Sequence, residues 1–151
     1  TGWRVGWMIV PQNHIRIVER LAQNLFICPP HVSQIVALEA MSCKDELSRN
    51  LDIYRENRQI IIDGLQQIGL QSFAPPDGAF YFYIDVAKYT DDSLSFCNDI
   101  LEEVGVAITP GVDFDPKRGK TTIRISYARS TEEIVEGLNR LGEFMKKRGY
   151  F

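Results

Sequence analysis

Two arginines lie in runs of β-forming residues, where a fixed cation could bind an anion. The first, Arg124, is in the middle of TTIRISYA, and strand alternation places Ile123 and Ile125 on one face and Arg124 and Ser126 on the other. A planar guanidinium binds a carboxylate through two parallel hydrogen bonds, a geometry that lysine cannot reproduce. Spacing alone does not decide between such a carboxylate clamp and a solvated charge on an open strand face, and by itself it favours the solvated charge.

The second arginine, Arg4, lies in TGWRVGW between Gly2 and Gly6. Glycines allow the backbone to turn tightly, so a guanidinium at this point could bind a phosphate group. An arginine that only flanks a strand would satisfy the same pattern, and the spacing favours that plainer interpretation. Neither arginine therefore acquires a role from the pattern alone.

Other reactive residue types are present but form no recognisable constellation. His14 and His31 are isolated from any Cys, Asp or Glu at metal-ligand spacing, so we predict no metal site. No Ser-His-Asp set and no glycine-rich phosphate loop is evident, so the pattern offers no catalytic residue. Cys28, Cys43 and Cys97 lack CxxC spacing and are predicted to be buried, reduced thiols rather than a disulfide framework.

The composition is that of a globular domain, because the 151 residues are 44% hydrophobic and 25% charged. Lysine and arginine are dispersed and the net charge is −3, which gives no basic footprint for nucleic acid. The apolar runs are far shorter than the roughly 20 residues that cross a bilayer. We therefore expect a soluble, cytoplasmic protein with neither nucleic acid nor membrane as a partner.

The elements that must position the two arginines follow from hydrophobic periodicity. In chain order the sequence predicts a strand at 4–10, helices at 12–26, 31–42 and 44–69, a strand at 78–86, a helix at 92–105, strands at 106–110 and 121–128, and a helix at 131–148. Gly69 is predicted to end the third helix in the left-handed conformation, and Ser130 with Glu133 to form a capping box for the last one. The aromatic run FYFY favours core packing over a binding surface. This order indicates an α/β or α+β domain with a sheet of about three strands backed by helices.

Five segments resemble, in this order and at these separations, the C-terminal part of a fold-type I aminotransferase dependent on pyridoxal phosphate (PLP), of the class I/II, aspartate aminotransferase-like group. They are TGWRVGW, FICPPHVSQ, PDGAFYFYID, VGVAITPGVDF and IRISYARSTEEIVEGLNRL. The resemblance covers essentially the whole chain. It implies that residues 1–35 are the terminal strand and helix of the large PLP-binding domain and that residues 36–151 are the C-terminal small domain.

The resemblance also implies roles for particular residues. The arginine of a GWR-type motif contacts the PLP phosphate in this family, which makes Arg4 the candidate phosphate ligand. The arginine of an RISYA-type strand holds the α-carboxylate of the substrate, which makes Arg124 the candidate carboxylate clamp. Phe80, in GAF, resembles a residue that lines the substrate site near that arginine. The implied reaction is transamination between an amino acid and a 2-oxo acid, and the implied assembly is a homodimer.

One motif of the family has no counterpart in the 151 residues. The lysine that forms the Schiff base with PLP lies in a Ser-x-Lys motif shortly before the GWR arginine, and no lysine precedes Arg4 here. We therefore expect the chain on its own to be inactive and not to bind PLP, and we assign no catalytic residue to it. Two alternatives remain open: an aminotransferase-like sensor domain of a transcription regulator, and a PLP lyase or synthase of the same fold.

Overall fold

A computed structural model describes residues 2–151, so that Thr1, the first position of the predicted 1–35 domain, lies outside the described residues. The elements in chain order are α1 (Gln12–Leu25), α2 (His31–Ala40), α3 (Lys44–Gln67), β1 (Tyr81–Asp85), α4 (Ser93–Val104), β2 (Thr109–Pro110), β3 (Thr122–Ser126) and α5 (Thr131–Lys147). Two 3-10 turns, Gly111–Asp113 and Gly119–Thr121, lie between β2 and β3. The predicted fold class, a mixed α/β domain with about three strands, is confirmed.

The chain forms two compact units, Thr1–Arg49 and Asn50–Phe151, and the division between them falls within α3. The predicted domain boundary near residue 35 stays a prediction, because compactness within this chain does not test membership of a larger domain.

In the first unit, the predicted strand at 4–10 is wrong, since these residues belong to no strand ladder in the described part of the chain. A β-strand needs a neighbouring strand to take up its backbone hydrogen bonds. Trp7 of this segment and the preceding Trp3 instead line a groove of about 230 Å³, where Val36 and Met41 form part of the wall. The predicted helix after it is present as α1, which buries none of its residues.

In the second unit, β3 is the central strand of an antiparallel sheet with the order β1-β3-β2. The register pairs Ile84 with Ile123 and Tyr83 with Arg124, so the apolar and polar residues of the two strands face opposite ways. The apolar face packs against α3, α4 and α5. Side chains that are less than 2% exposed fill this core: Ile61, Leu65, Leu70, Phe82, Ile84, Val86, Ile100, Ile123, Phe144 and Met145.

The helix ends of the second unit follow the chemistry of their capping residues. Gly69, after α3, has a φ of +83°, which confirms the predicted left-handed cap. The side-chain oxygen of Ser130 accepts a hydrogen bond from the backbone N–H of Glu133 at 3.3 Å, which confirms the N-cap half of the predicted capping box. In the other half, the Glu133 carboxylate accepts from the Ser130 hydroxyl at 3.5 Å. Asp92 is likewise the N-cap of α4, and Gly105 ends that helix with a φ of +68°.

A buried amide ties α3 to the chain after β3. The side-chain nitrogen of Asn57, a residue that is fully buried, donates to the carbonyl oxygens of Tyr127 at 3.1 Å and Arg129 at 2.8 Å. Burial of these two carbonyls without a donor would be costly, so the amide fixes how the end of β3 turns into α5.

The prediction of three buried cysteines is correct for Cys97 alone. Cys28 is exposed and Cys43 is half-buried, because the first unit buries few of its side chains. All three are free thiols, as predicted. Desolvation by burial, with a smaller contribution from the charge of Asp113, raises the pKa of the Cys97 thiol to about 11.

Glycine substitutions test the second unit. At Gly137, inside α5, an added Cβ would meet no atom within 4 Å. Gly137→Ala should therefore raise the free energy of unfolding by about 0.5–1 kcal/mol, since alanine costs less backbone entropy in a helix. The matched variant Gly69→Ala should lower it, because that residue has a φ of +83° and its Cβ would lie 3.0 Å from the Tyr89 hydroxyl. Urea unfolding measures the free energy of unfolding of each variant. Changes of the same sign in the two variants would contradict the roles given to these glycines.

Candidate functional site

Arg124 lies at the centre of the sheet, on the face opposite to the core. Its Cα pairs with that of Tyr83 on β1 and that of Thr109 on β2. The predicted alternation is confirmed for the residue before it, because Ile123 is fully buried in the core. The central strand therefore carries a cation away from the apolar core and between two flanking strands.

The guanidinium of Arg124 is held by aromatic rings and a hydroxyl. Its central carbon lies 4.5 Å from the centre of the Phe114 ring and 5.5 Å from the centre of the Tyr81 ring. One terminal nitrogen, Nη2, donates to the Thr109 hydroxyl at 3.4 Å. The Nε atom is buried and has no hydrogen-bond partner among residues 2–151. A buried N–H without an acceptor is costly.

These residues surround a cavity of about 430 Å³, lined by Tyr81, Tyr83, Phe114, Asp115, Pro116 and Arg124. Its volume is that of a small-molecule site, and aromatic side chains with one cation suit a small organic anion. The guanidinium in this wall has the geometry to receive a carboxylate through two N–H donors.

Asp115, the acidic residue in the wall, is engaged by its own loop. Its Oδ1 accepts from the backbone N–H groups of Lys117 at 2.8 Å and Arg118 at 3.0 Å, and its Oδ2 accepts from Arg118 Nε at 3.1 Å. These hydrogen bonds, with that from the Arg118 backbone the strongest, hold the pKa of the carboxyl below its usual range. Asp115 therefore stays ionised, and its oxygens accept hydrogen bonds from its own loop rather than from Arg124.

The loop that supplies Phe114 is shaped by two glycines. A Cβ on Gly111 would lie 2.0 Å from Thr122 Oγ1, and a Cβ on Gly119 would lie 2.6 Å from the Gly111 carbonyl. Only glycine permits this approach of two backbones. The buried hydroxyl of Ser93, at the start of α4, donates to the Gly119 carbonyl oxygen at 2.6 Å and ties the loop to that helix.

Phe80 lies just before β1 and does not line the cavity around Arg124. Its ring is 45% exposed and lies 5.9 Å from the Tyr81 ring, between centroids. The preceding Ala79 has a φ of +59°, a conformation that costs an L-residue strain. Tyr127 holds this turn: its hydroxyl donates to the Ala79 carbonyl at 3.1 Å and its backbone N–H to the Phe80 carbonyl at 2.9 Å.

Sequence reasoning missed most of the cavity wall. It favoured a core role for the whole FYFY run, whereas Phe82 is buried and Tyr81 and Tyr83 line the cavity. Strand alternation in FYFY was the signal that could have separated the two sets. Phe114 and Thr109 gave no usable signal, because their contact with Arg124 depends on how the loop after β2 folds.

The described residues hold no group of three or more His, Cys, Asp or Glu side chains able to bind a metal ion. No helix in residues 2–151 is long and apolar enough to cross a membrane.

Comparison with known proteins adds the family. Residues 1–141 match the family model for aminotransferase class I and II. The chain belongs to this family. Class I and II aminotransferases are PLP-dependent in general and act on amino acids and 2-oxo acids.

Individual aminotransferases show the same relationship. The chain is 47% identical over 147 residues to a valine–pyruvate aminotransferase of Mycobacterium tuberculosis, covering 96% of this chain and 38% of that protein. It is 32% identical to an aspartate aminotransferase of Thermotoga maritima, covering 98% of this chain and 37% of that protein. A crystal structure of an aminotransferase from Mycobacterium tuberculosis superimposes with a TM-score of 0.87 at 46% identity, over 97% of this chain and 38% of that one. The chain thus spans about two-fifths of the length of these relatives.

For an aminotransferase chain, two residues suit the ligands of the family. Arg124 lies in the wall of the aromatic cavity, where the donor fork of its guanidinium suits a substrate carboxylate. Arg4, in the first unit, has a φ of +57°, so the backbone holds this arginine in a costly left-handed conformation. Its guanidinium chemistry suits the phosphate of PLP. The chemistry of both residues therefore fits the groups that the family binds.

The two glycines of the loop provide a test of the site's framework. Gly111→Ala should lower the free energy of unfolding by about 1–3 kcal/mol, because its Cβ would also lie 2.6 Å from the Thr122 backbone oxygen, which cannot move aside. Gly78→Ala is the matched control, since its Cβ would meet no atom within 4 Å. Urea unfolding of both variants tests this, and equal stabilities would show that the loop tolerates a side chain at position 111.

Proposed function

We propose that this chain is the C-terminal part of a PLP-dependent aminotransferase that transfers an amino group between an amino acid and a 2-oxo acid. The observation that carries the proposal is the guanidinium of Arg124, which lies in the wall of a cavity beside two aromatic rings. Family membership supports the α-carboxylate of the substrate as the ligand that we propose for Arg124. Residues 1–35 are proposed to belong to the large PLP-binding domain and residues 36–151 to the small domain of a cytoplasmic homodimer.

Arg124 binds and orients the substrate in this proposal. Two parallel N–H donors fix both oxygens of a carboxylate, so the Cα end of the amino acid is held in one orientation and its negative charge is neutralised. The guanidinium takes no part in proton transfer in this proposal. Phe80, on the turn before β1, is proposed to contact the substrate at the edge of the site.

Arg4 would hold the phosphate of PLP through the same fork of donors. When bound, PLP serves as an electron sink for the bonds at the substrate's Cα. The residue that forms the covalent link to PLP in this family, a lysine before the GWR motif, is not among residues 1–151.

The role of Arg124 predicts a selective kinetic defect. In the complete PLP-loaded enzyme, Arg124→Lys should raise the KM at least about tenfold for every amino-acid substrate, because a lysine cannot donate two parallel hydrogen bonds. Arg129→Lys is the control, since the Arg129 side chain is 71% exposed and near the same strand. Steady-state kinetics with several amino acids tests this, and an unchanged KM in Arg124→Lys would overturn the proposal.

The 151-residue chain by itself is predicted to be inactive. Incubated with PLP, an amino acid and a 2-oxo acid, it should form no more new 2-oxo acid than the same concentration of PLP without protein, since no lysine precedes Arg4. The measurement is product formation against that blank. Turnover in excess of the blank would contradict the expectation.

A further inference from the structure

We infer that Phe114 is a positioning residue for Arg124, holding the guanidinium through the face of its ring so that the N–H edge stays available to the substrate carboxylate. The inference rests on the proposed function of Arg124 and adds a residue to which neither the sequence pattern nor the family resemblance assigned a role. It concerns the alignment of the clamp rather than the chemistry of the reaction.

Arg124 is held only weakly by the polar groups of residues 2–151. None of the ion pairs in residues 2–151 involves this arginine, and its one side-chain hydrogen bond, to Thr109, is long at 3.4 Å. A carboxylate partner in the protein would occupy the donors that a substrate needs. An aromatic ring attracts the cation through its π face and leaves the in-plane N–H groups unused.

Phe114 has the geometry for this attraction. The central carbon of the guanidinium lies 4.5 Å from the ring centre, well within the distance of about 6 Å at which such pairs are favourable. The Phe114 ring is nevertheless 50% exposed, so it contributes little to the core. A half-exposed aromatic side chain that lies against a cation is more simply explained by the cation than by packing.

The loop between β2 and β3 fixes the Phe114 backbone. The backbone N–H groups of Phe114 and Asp115 both donate to the Gly111 carbonyl at 2.9 Å, and that of Gly119 donates to the Asp115 carbonyl at 2.8 Å. The position of the Phe114 backbone is therefore set by hydrogen bonds that do not depend on the ring. A substitution at position 114 should consequently change Arg124 without unfolding the loop.

The experiment compares Phe114→Leu, Phe114→Tyr and Phe151→Leu. Leucine keeps an apolar side chain without a π face, tyrosine keeps the π face, and Phe151 is a control of similar exposure, 54%, at the chain end. In the complete PLP-loaded enzyme, Phe114→Leu should raise the KM for the amino acid about fivefold to tenfold with kcat within about twofold. Phe114→Tyr and Phe151→Leu should each leave the KM at the value of the unmodified enzyme.

A second readout needs neither PLP nor turnover. In the NMR spectrum of the 151-residue chain, the Cδ protons of Arg124 should be shifted upfield by the ring current of Phe114. Phe114→Leu should move them downfield, whereas Phe114→Tyr and Phe151→Leu should not. Unfolding in urea should give midpoints for the three variants that match that of the unmodified chain.

The outcomes separate this inference from the proposed function. If Arg124→Lys raises the KM but Phe114→Leu does not, or if the tyrosine variant is as defective as the leucine variant, Phe114 has no positioning role. The inference would also be overturned if Phe114→Leu left the chemical shifts of the Arg124 Cδ protons unchanged. If Arg124→Lys itself leaves the KM unchanged, the proposed function fails, and the role of Phe114 in substrate binding fails with it.

Discussion

The approach of the Gly111 and Gly119 backbones is the constraint on which the polar side of the sheet depends. A side chain at either position would overlap main-chain atoms, so the chain can pass from β2 to β3 in this way only with glycines there. Because the two backbones meet, the residues between them form a closed loop that projects over the sheet. Phe114 and Asp115 lie on this loop, and one supplies a ring to Arg124 while the other secures the loop by its own hydrogen bonds.

The central strand separates two kinds of interaction by strand alternation alone. Ile123 lies in a core closed by three helices, whereas Arg124, the next residue, faces a cavity walled by aromatic side chains. The apolar core holds the strand in place, and the cavity on the other face exposes the Arg124 guanidinium. Asn57 connects the two roles, because its amide secures the end of β3 from the core side while Arg124 is presented on the other.

Much of this fold could be predicted from the sequence, since its signals are local. The helices, the left-handed Gly69 and the Ser130 cap follow from periodicity and from residues a few positions apart. The segment 4–10 has the composition of a strand, but composition cannot supply the neighbouring strand that such a segment needs. The setting of Arg124 was equally out of reach, because its neighbours come from two distant parts of the chain: Tyr81 from β1, and Thr109 and Phe114 from β2 and the loop after it. A family resemblance, rather than spacing, gave that arginine its expected role.

Positions 114 and 111 differ sharply in the side chains that they can accept. Gly111 is closed to every side chain, so a lineage that keeps this loop must keep that glycine. Phe114 is half exposed on a backbone held by its own hydrogen bonds, so its side chain can be exchanged at little cost to folding. A rigid frame that carries an exchangeable side chain lets a single substitution at position 114 change the surroundings of Arg124 while the sheet keeps its structure.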